Sequence, residues 1–370
     1  MRVVVVTTWF PTALAPSSGS FVVRDALAMA SRGDTVDVVH LVPGHQDDGT
    51  RHVYHEGLKV LRLPMTPSRP DQIAQVAAAL PGILDGADVV HTTAISALLP
   101  FVVGRPDAPW VHTEHYSGLT SPENLGFGTR AVLPLVRRLL DRPDVVTAVC
   151  EFLADPIREV RGDRATAVVP CIVPPLATVP ARPEPSGELR MVSVGGLVER
   201  KDPLLAVDVV AELGRRGHPA HLTLVGDGPL ASAVRDRADE VGVGERIHLT
   251  GTLDRDGVLG ELARADLFLG PTRGDNFFVS CAEALVAGRP VVVGSTGGQG
   301  EYVDPRVGTL VDVQDAGAYA DAVLDLHERT ATLSAEDVAA TIGDAFSVET
   351  VAAGYADAHA LAAHVHGSVR

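Results

Sequence analysis

The chain has 370 residues, of which 46% are hydrophobic, and it carries a formal net charge of −16. At roughly 150 residues per domain, this length predicts two domains with enough apolar residues for two cores. The negative charge opposes binding to phosphate backbones, so nucleic acid is not a predicted partner. Cys150, Cys171 and Cys281 are odd in number and widely spaced. No disulfide framework or zinc ribbon is therefore predicted, and a reducing, cytoplasmic location is favoured.

The first strand candidate is a run of four valines at residues 3–6. Thr7, Thr8 and Pro11 interrupt the apolar stretch, and a single basic residue, Arg2, precedes it. A buried strand followed by a loop is therefore favoured over a secretory signal peptide. Elsewhere no apolar run approaches the roughly 20 residues of a membrane-spanning helix, so no transmembrane segment is predicted.

Short valine-rich runs alternate with longer helical patterns through the first half of the chain. Continuous apolar runs are typical of parallel strands that are covered by helices on both faces. The alternation of strand and helix predicts an open, doubly wound α/β sheet. The predicted strands lie at residues 3–7, 36–42, 60–63, 89–91, 111–113, 145–149 and 167–169, and the helices include 21–30, 72–84 and 131–140.

The second half repeats this plan, without a residue-level repeat. Its predicted strands lie at residues 189–194, 221–225, 247–249, 267–269, 290–293 and 308–311, with helices at 204–213 and 231–239. Prolines are frequent between the halves, where they disfavour a helix interior or a central strand. We therefore predict a first domain at 1–172, a linker at 173–188, a second domain at 189–346 and a helical tail at 347–370.

Ligands of doubly wound sheets bind at the carboxyl ends of the strands, so the chemistry is expected in the loops that follow them. After the first strand, Gly19 precedes a helix, where it either lets an anion approach or simply makes a turn. Arg200 and Lys201 also precede a helix. Because the helix dipole disfavours cations there, the pair predicts an anion between them; the alternative is a solvated charge pair on a turn.

Three further loops carry polar residues. Gly226 and Gly228 make a tight loop before Pro229, which is expected to open a helix; as a dinucleotide fingerprint the motif is weak. Asp275 lies in a loop and Glu283 on the helix that follows it. In that apolar helix a carboxylate needs partners, which are either sugar hydroxyls or an arginine.

The segment "WVHTEHYSGL" places His112 and Glu114 at the end of a strand. The spacing matches no zinc-protease pattern, and His112 either faces a cleft or is an inward structural histidine. Asp254 and Asp256 form a D-x-D triplet that starts a helix, so helix capping is favoured over chelation of Mg²⁺ or Mn²⁺. No metal site is predicted.

Several of these segments together resemble one family. "VGGLVERKD" and "GDNFFVSCAEALVAGRPVV", with "LVGDGPL" and "HLTGTL" between them, resemble the retaining glycosyltransferases of the GT-B fold, specifically family GT4. The resemblance extends over nearly the whole chain. It implies two Rossmann-like domains that face each other across a cleft, the first binding the acceptor and the second the nucleotide sugar. The ending "FSVETVAAGYADAHA" resembles the helix that crosses back to the first domain in this family.

The resemblance also implies roles for single residues. Lys201, assisted by Arg200, would bind the donor diphosphate; Asp275 would contact the transferred sugar, Glu283 the ribose, and His112 would lie near the reacting sugar. The remaining donor-binding residues implied are Gly19, Gly226, Gly228 and Leu253, with the amides of Asn276, Phe277, Phe278 and Val279. Acceptor binding is predicted in the loops at 42–51 and 117–128, and at Glu114, His115 and Tyr116.

This chain departs from the family pattern at four positions. Asp275 stands where the family usually has glutamate. Phe278 stands where the family's loop commonly ends in glycine, and this larger side chain narrows the pocket. Gly196 replaces a frequent arginine, for which Arg200 would compensate, and Cys171 replaces an asparagine. These changes concern the donor sugar and the rate more than the reaction class.

The predicted function is transfer of a sugar with retention of configuration, from a UDP-sugar rather than a GDP-sugar, to a hydroxyl of a soluble small molecule in natural-product or cell-envelope biosynthesis. The nucleotide sugar is a substrate, and no cofactor or metal is predicted. No pair of residues is convincing as a protein nucleophile and its activating partner. We see no strong basic amphipathic face in the first domain. The alternatives are a nucleotide-sugar 2-epimerase and a non-catalytic nucleotide-sugar-binding subunit.

Overall fold

The computed structural model describes residues 1–122, 126–184 and 187–369. These residues form two compact units. Unit 1 comprises Met1–Ile172 together with Ser347–Arg370, and unit 2 comprises Val173–Phe346. The proline-rich segment predicted as a linker, 173–188, is counted with unit 2, and its described residues contain neither helix nor strand.

Unit 1 is built on an eight-stranded sheet. The strands are β1 (Arg2–Thr7), β2 (Thr35–Val42), β3 (His52–His55), β4 (Leu58–Pro64), β5 (Val89–Thr93), β6 (Trp110–Glu114), β7 (Val145–Ala148) and β8 (Thr166–Val168). Their order is β3-β4-β2-β1-β5-β6-β7-β8, and all neighbours are parallel except β3 and β4. The four valines of β1 are buried on both faces of the sheet, as the uninterrupted apolar run predicted.

The helices of unit 1 are α1 (Ser20–Ser31), α2 (Pro70–Leu84), α3 (Phe127–Arg137), α4 (Glu151–Arg161) and a last helix that belongs to the returning tail. The predicted helix at 131–140 therefore begins earlier, and a 3₁₀ turn at Arg138–Asp141 follows it. Among the described residues, none of the helices of either unit combines the length and apolar character that crossing a bilayer requires.

Unit 2 is built on a six-stranded parallel sheet in the order β11-β10-β9-β12-β13-β14. Its strands are β9 (Leu189–Val194), β10 (Ala220–Val225), β11 (Ile247–Gly251), β12 (Leu267–Gly270), β13 (Val291–Gly294) and β14 (Gly308–Val311). Its helices are α5 (Pro203–Arg215), α6 (Ala231–Glu240), α7 (Arg255–Arg264), α8 (Val279–Val286), α9 (Ala316–Arg329) and α10 (Ala335–Ala339). Two largely parallel, Rossmann-like sheets confirm the predicted α/β fold class.

Two helix starts in unit 2 were predicted from sequence, with different outcomes. Pro229 does not open a helix, because α6 begins two residues later, at Ala231. Asp254 caps α7, since its side chain accepts a hydrogen bond from the amide of Gly257 at 2.9 Å. The capping interpretation of the D-x-D triplet is therefore confirmed.

The returning tail forms α11 (Val348–Val369), which packs on α1 and β6 of unit 1. Val351 and Tyr355 of this helix are buried in the core of unit 1. A buried polar contact accompanies them, in which His359 Nε2 lies 2.9 Å from His91 Nδ1 on β5. Burial holds the pKa of His91 well below its usual value and lowers the pKa of His359 to about 4.

These neutral histidines predict that unit 1 is sensitive to acid. Below the usual histidine pKa of 6.5 the unfolded chain binds protons that the folded unit does not, so stability falls towards about pH 4. The loss is about 1.4 kcal/mol per pH unit for each such histidine. His359→Gln keeps a hydrogen-bonding group that cannot titrate and should make the loss shallower. His364→Gln, at an exposed position of α11, is the control. Thermal unfolding midpoints across this pH range provide the measurement, and identical curves for the two variants would contradict the prediction.

Candidate active site

Two loops at the carboxyl ends of neighbouring strands are joined in unit 2. The first follows β9 and contains Arg200 and Lys201, and the second follows β12 and leads into α8. The amide of Arg273 donates to the carbonyl of Arg200 at 2.9 Å, and the Thr272 hydroxyl donates to the same carbonyl at 3.1 Å. An ion pair at 2.8 Å between Arg273 and Asp202 connects the loops again. The loops therefore form one surface at this sheet edge.

Asp275 lies between the two cations of the first loop. Its Oδ2 is 2.6 Å from Lys201 Nζ and 2.5 Å from Arg200 Nη1. Its Oδ1 accepts a hydrogen bond from the Phe278 amide at 3.1 Å. The sequence predicted an anion between Arg200 and Lys201, and in this structure that anion is the protein's own carboxylate.

The charges of this group depend on one another. Burial alone would raise the pKa of the Asp275 carboxyl, but Lys201 and Arg200 hold that pKa below its usual value. Burial also lowers the pKa of the Lys201 ammonium, and Asp275 opposes this effect. Removal of the carboxylate would leave two neighbouring cations without this partner, which is the costly half of a buried ion pair.

A third loop, which follows β13, supports Asp275 from its backbone. The carbonyl of Asp275 accepts from the Gly298 amide at 3.1 Å, and its amide donates to Thr296 at 3.3 Å. Gly297 has a φ of 130°, and a Cβ there would overlap the Asp275 carbonyl. This loop was not among those predicted to form the site, although "STGGQG" after a strand contains the adjacent glycines that signal such a close approach.

The loop after Asp275 is held by aromatic side chains. The Tyr302 hydroxyl lies 2.9 Å from the carbonyls of Phe277 and Phe278, to which it donates. The Phe277 ring packs against Phe346, with ring centroids 4.8 Å apart. Asn276 is buried, and its backbone carbonyl accepts a hydrogen bond from the Gly298 amide at 2.8 Å. The Phe278 amide already donates a hydrogen bond to Asp275. It would therefore have to leave this partner before it could bind the sugar donor as predicted.

Gly226 and Gly228 bring the loop after β10 against the first loop. A Cβ on Gly228 would lie 2.5 Å from the Leu197 carbonyl, and Gly226 has a φ of 136°. The amide of Leu197 donates to the Asp227 carbonyl at 3.0 Å. Both glycines are thus required by loop packing, and their predicted contact with a nucleoside stays a prediction.

The other donor residues predicted in unit 2 lie on or beside helices. Glu283 is half-buried on α8 between the fully buried Ala282 and Ala284. Val279 is the first residue of α8, and half-buried Leu253 immediately precedes the capping residue of α7. Their predicted contacts with ribose, diphosphate and nucleoside stay predictions.

In unit 1 the predicted histidine and glutamate are fully buried. His112 Nδ1 hydrogen-bonds with the Thr92 hydroxyl at 2.9 Å, and its Nε2 lies 3.3 Å from Glu114 Oε2. The other Glu114 oxygen accepts from the amides of His115 and Tyr116, at 2.8 and 2.7 Å. This burial fits an inward-facing histidine, and the predicted place of His112 near the reacting sugar stays a prediction. Glu114 shapes the turn that follows β6.

His115 and Tyr116 are only partly buried. His115 Nε2 lies 3.6 Å from Asp25 Oδ2, and its ring packs on Phe21 at a centroid distance of 4.5 Å. Burial raises the pKa of Tyr116. Part of the acceptor loop predicted at 117–128, residues 123–125, lies outside the described residues.

The loop after β1 contains the predicted Gly19 and an aromatic residue that the sequence analysis did not select. Gly19 has a φ of 68°, and a Cβ there would overlap the backbone of Trp9, so the fold itself requires this glycine. The Trp9 side chain is 47% exposed and lies 6.4 Å from the Phe21 ring. An aromatic residue just beyond a strand's carboxyl end is the signal that could have identified it.

Helix α3 of unit 1 exposes both apolar and basic side chains, and the expectation of no strong basic amphipathic face stays a prediction. Helix α3 exposes Val132 and Leu135, and Arg130 and Arg138 are exposed at the same helix and the turn after it. Apolar and basic side chains at helical spacing make an amphipathic surface. The helix continues through Pro134, which lies within the segment 131–140 predicted to be helical.

Comparison with known proteins identifies the family. Residues 18–171 match the model described as "Glycosyl transferase 4-like domain", and residues 188–329 match the model described as "Glycosyl transferases group 1". The chain is a GT4-type glycosyltransferase. The predicted family is therefore confirmed, and enzymatic glycosyl transfer is its class of activity.

Three individual relatives of this glycosyltransferase, described next, are each less than 30% identical to it. It is 28% identical over 301 residues to a GDP-mannose-dependent alpha-(1-6)-phosphatidylinositol monomannoside mannosyltransferase of Mycobacterium tuberculosis, covering 76% of each chain. It is 29% identical over 279 residues to a 2-deoxystreptamine N-acetyl-D-glucosaminyltransferase of Streptomyces fradiae, covering 67% of this chain and 65% of that one. The solved sucrose-phosphate synthase of Thermosynechococcus elongatus superimposes with a TM-score of 0.76 at 20% identity, over 96% of this chain and 98% of that one.

The support of Asp275 by Gly297 is testable. Gly297→Ala should cost about 1–3 kcal/mol of unfolding free energy from the backbone conformation alone, with a further cost from the overlap with Asp275. Gly300→Ala is the matched control, because its φ is not positive and a Cβ there meets no atom closer than 3.7 Å. Urea unfolding measures both, and equal stabilities would contradict the assigned packing.

Proposed function

We propose that this glycosyltransferase transfers a hexose, with retention of configuration, from a nucleoside-diphosphate sugar to a hydroxyl group of a ring-shaped polyol. The observation that carries the proposal is the cluster of Arg200, Lys201 and Asp275 at the carboxyl ends of β9 and β12. Two cations and one carboxylate at this edge suit a substrate that has a diphosphate and a sugar side by side.

Charge development explains the need for the cations. As the bond from the sugar C1 to the diphosphate oxygen breaks, negative charge grows on the diphosphate and positive charge on the sugar ring. Lys201 and Arg200 stabilise the first charge from fixed positions. A diphosphate that replaces Asp275 as their partner releases the Asp275 carboxylate to accept hydrogen bonds from the sugar hydroxyls.

Retention follows when the acceptor attacks from the face that the diphosphate leaves. The acceptor oxygen forms the new bond to C1, and its proton passes to the leaving phosphate oxygen. No covalent enzyme intermediate forms in this reaction, so no protein nucleophile is required. We propose that Lys201 and Arg200 take the place of a metal ion at the diphosphate. The two cations Arg200 and Lys201, held together at one sheet edge, are its main support.

The donor that we propose is GDP-mannose. The relative from Mycobacterium tuberculosis, which matches three-quarters of the chain, is named as dependent on GDP-mannose. The donor predicted from sequence is a UDP-sugar instead, and transfer from a UDP-sugar is the alternative outcome of the experiment below.

The acceptor that we propose is a polyhydroxylated six-membered ring. The two relatives above are named for a phosphatidylinositol mannoside and for 2-deoxystreptamine, which both contain such a ring. In this chain the exposed indole of Trp9, close to Phe21, offers a flat apolar face of the kind that contacts a ring. A soluble ring and a lipid-linked ring share this chemistry.

The direct test incubates the protein with GDP-mannose, UDP-glucose or UDP-N-acetylglucosamine, with inositol, 2-deoxystreptamine or phosphatidylinositol vesicles as acceptor. Mass spectrometry should detect a mannosylated product that requires the acceptor and persists in EDTA. Lys201→Ala should lower turnover about 10²–10³-fold. Epimerised donor without acceptor, or nucleotide binding without turnover, would overturn the proposal. Product from a UDP-sugar alone would overturn the assignment of the donor.

Substitutions of Asp275 and Glu283 should change different kinetic constants. Glu283 is proposed to hold ribose hydroxyls that are unchanged during the reaction, so Glu283→Gln should mainly raise the donor KM. Asp275 is proposed to contact the sugar whose charge changes, so Asp275→Asn should mainly lower kcat. Steady-state kinetics with the identified donor measure both effects. If Asp275 served only to order the loop, both constants would stay near wild type after correction for the folded fraction.

Trp9 should act on the acceptor alone. Removal of a ring contact of modest area in Trp9→Ala should raise the acceptor KM about three- to tenfold and leave the donor KM unchanged. Tyr54→Ala is the control, because Tyr54 is an exposed aromatic residue on the edge strand β3. An equal effect of the two substitutions in acceptor titrations would remove Trp9 from the acceptor site.

A further inference from the structure

The residue after Phe277 has an unfavourable backbone conformation for its type. Phe278 precedes α8 with φ 60° and ψ 61°, the left-handed region that suits glycine. A bulky side chain in this region is uncommon, and it strains the backbone. Such strain persists only where the surrounding structure fixes it, so the contacts of the phenyl ring need an explanation.

The ring lies beneath the Lys201 ammonium. Lys201 Nζ is 3.6 Å from the centroid of the Phe278 ring, within the range of a cation–π interaction. The ring itself is only 2% exposed. Because Asp275 contacts the same ammonium at 2.6 Å, Lys201 is held between a carboxylate and an aromatic face.

The strand below is adapted to this ring. A Cβ on Gly270, the last residue of β12, would lie 2.7 Å from Phe278 Cζ, so this glycine provides the space that the ring occupies. Phe268 packs against the ring edge-on, with centroids 5.8 Å apart. The cavity that remains beside Lys201 and Phe278 has a volume of about 10 Å³, the lower limit for one water molecule.

We propose that Phe278 is a positioning residue for Lys201. The Phe278 ring fixes the Lys201 ammonium at the position where a donor diphosphate contacts it. The ring fills the space into which the lysine side chain would otherwise retreat, and its negative face compensates for lost hydration. This inference rests on the proposed function for the diphosphate, and its effect is exerted through Lys201 alone. It also assigns a purpose to phenylalanine at a position where glycine would relieve the backbone.

A test without any ligand uses the lysine content of the chain. Lys59 and Lys201 are the only two lysines, and Lys59 is exposed. In protein labelled with ¹³C-lysine, the ring current of Phe278 should shift the Lys201 ε-methylene signal upfield of the Lys59 signal. Lys201→Met assigns the signal, and Phe278→Leu should return it to the position of Lys59. A Lys201 signal that is unshifted in the wild type overturns the inference.

The second test is a double-mutant cycle on nucleotide affinity. Phe278→Leu should weaken binding of GDP roughly tenfold, the size of one partly desolvated cation–π contact. In the Lys201→Met background the same substitution should change the affinity by less than about twofold, because its effect passes through the ammonium. Additive effects of the two substitutions would instead assign Phe278 to general packing.

Two further variants distinguish a specific effect on GDP binding from a general folding defect. Gly270→Ala displaces the ring without removing it and should weaken GDP binding in the same direction, again only when Lys201 is present. Phe101→Leu, at a buried phenylalanine that packs on Trp110 in unit 1, should lower the melting temperature without changing the affinity. If the wild type binds no nucleoside diphosphate, the proposed function fails, whereas the lysine signals still decide the role of Phe278.

Discussion

The candidate site depends on one carboxylate that neutralises two cations. Arg200 and Lys201 precede α5, where the positive end of the helix dipole already disfavours them. Asp275 compensates for this repulsion, and the loops after β9, β12 and β13 are arranged around it. The folded unit thus holds two positive charges together at one sheet edge, with an internal carboxylate as their partner. In the proposed function, the donor diphosphate takes the place of this carboxylate.

Sequence patterns predicted the sheets because their signal is local. Valine runs identified the buried parallel strands, whereas β3 escaped notice because it is short, half-exposed and antiparallel at the edge. Residue types at strand ends predicted which loops carry charge, including Arg200, Lys201 and Asp275. They did not predict that Asp275 would pair with both cations, because this depends on loops that are more than seventy residues apart in sequence.

Burial was the other property that local patterns did not determine. His112 and Glu114 stand at the end of β6, where either face of the strand is compatible with their spacing. The structure buries both and lets them satisfy each other and the turn. Gly19 shows the same limit, since only the path of the Trp9 backbone reveals which group occupies the space that glycine leaves.

The return of α11 to unit 1 has a consequence for biosynthesis. His91 meets a partner that lies 268 positions further along the chain, and the buried face of Tyr355 belongs to the same late segment. Unit 2 is contiguous, so all of its residues are synthesised before the last helix is made. The N-terminal part of unit 1 therefore has an incompletely covered core while unit 2 is synthesised. In this protein the part that is translated first is completed last.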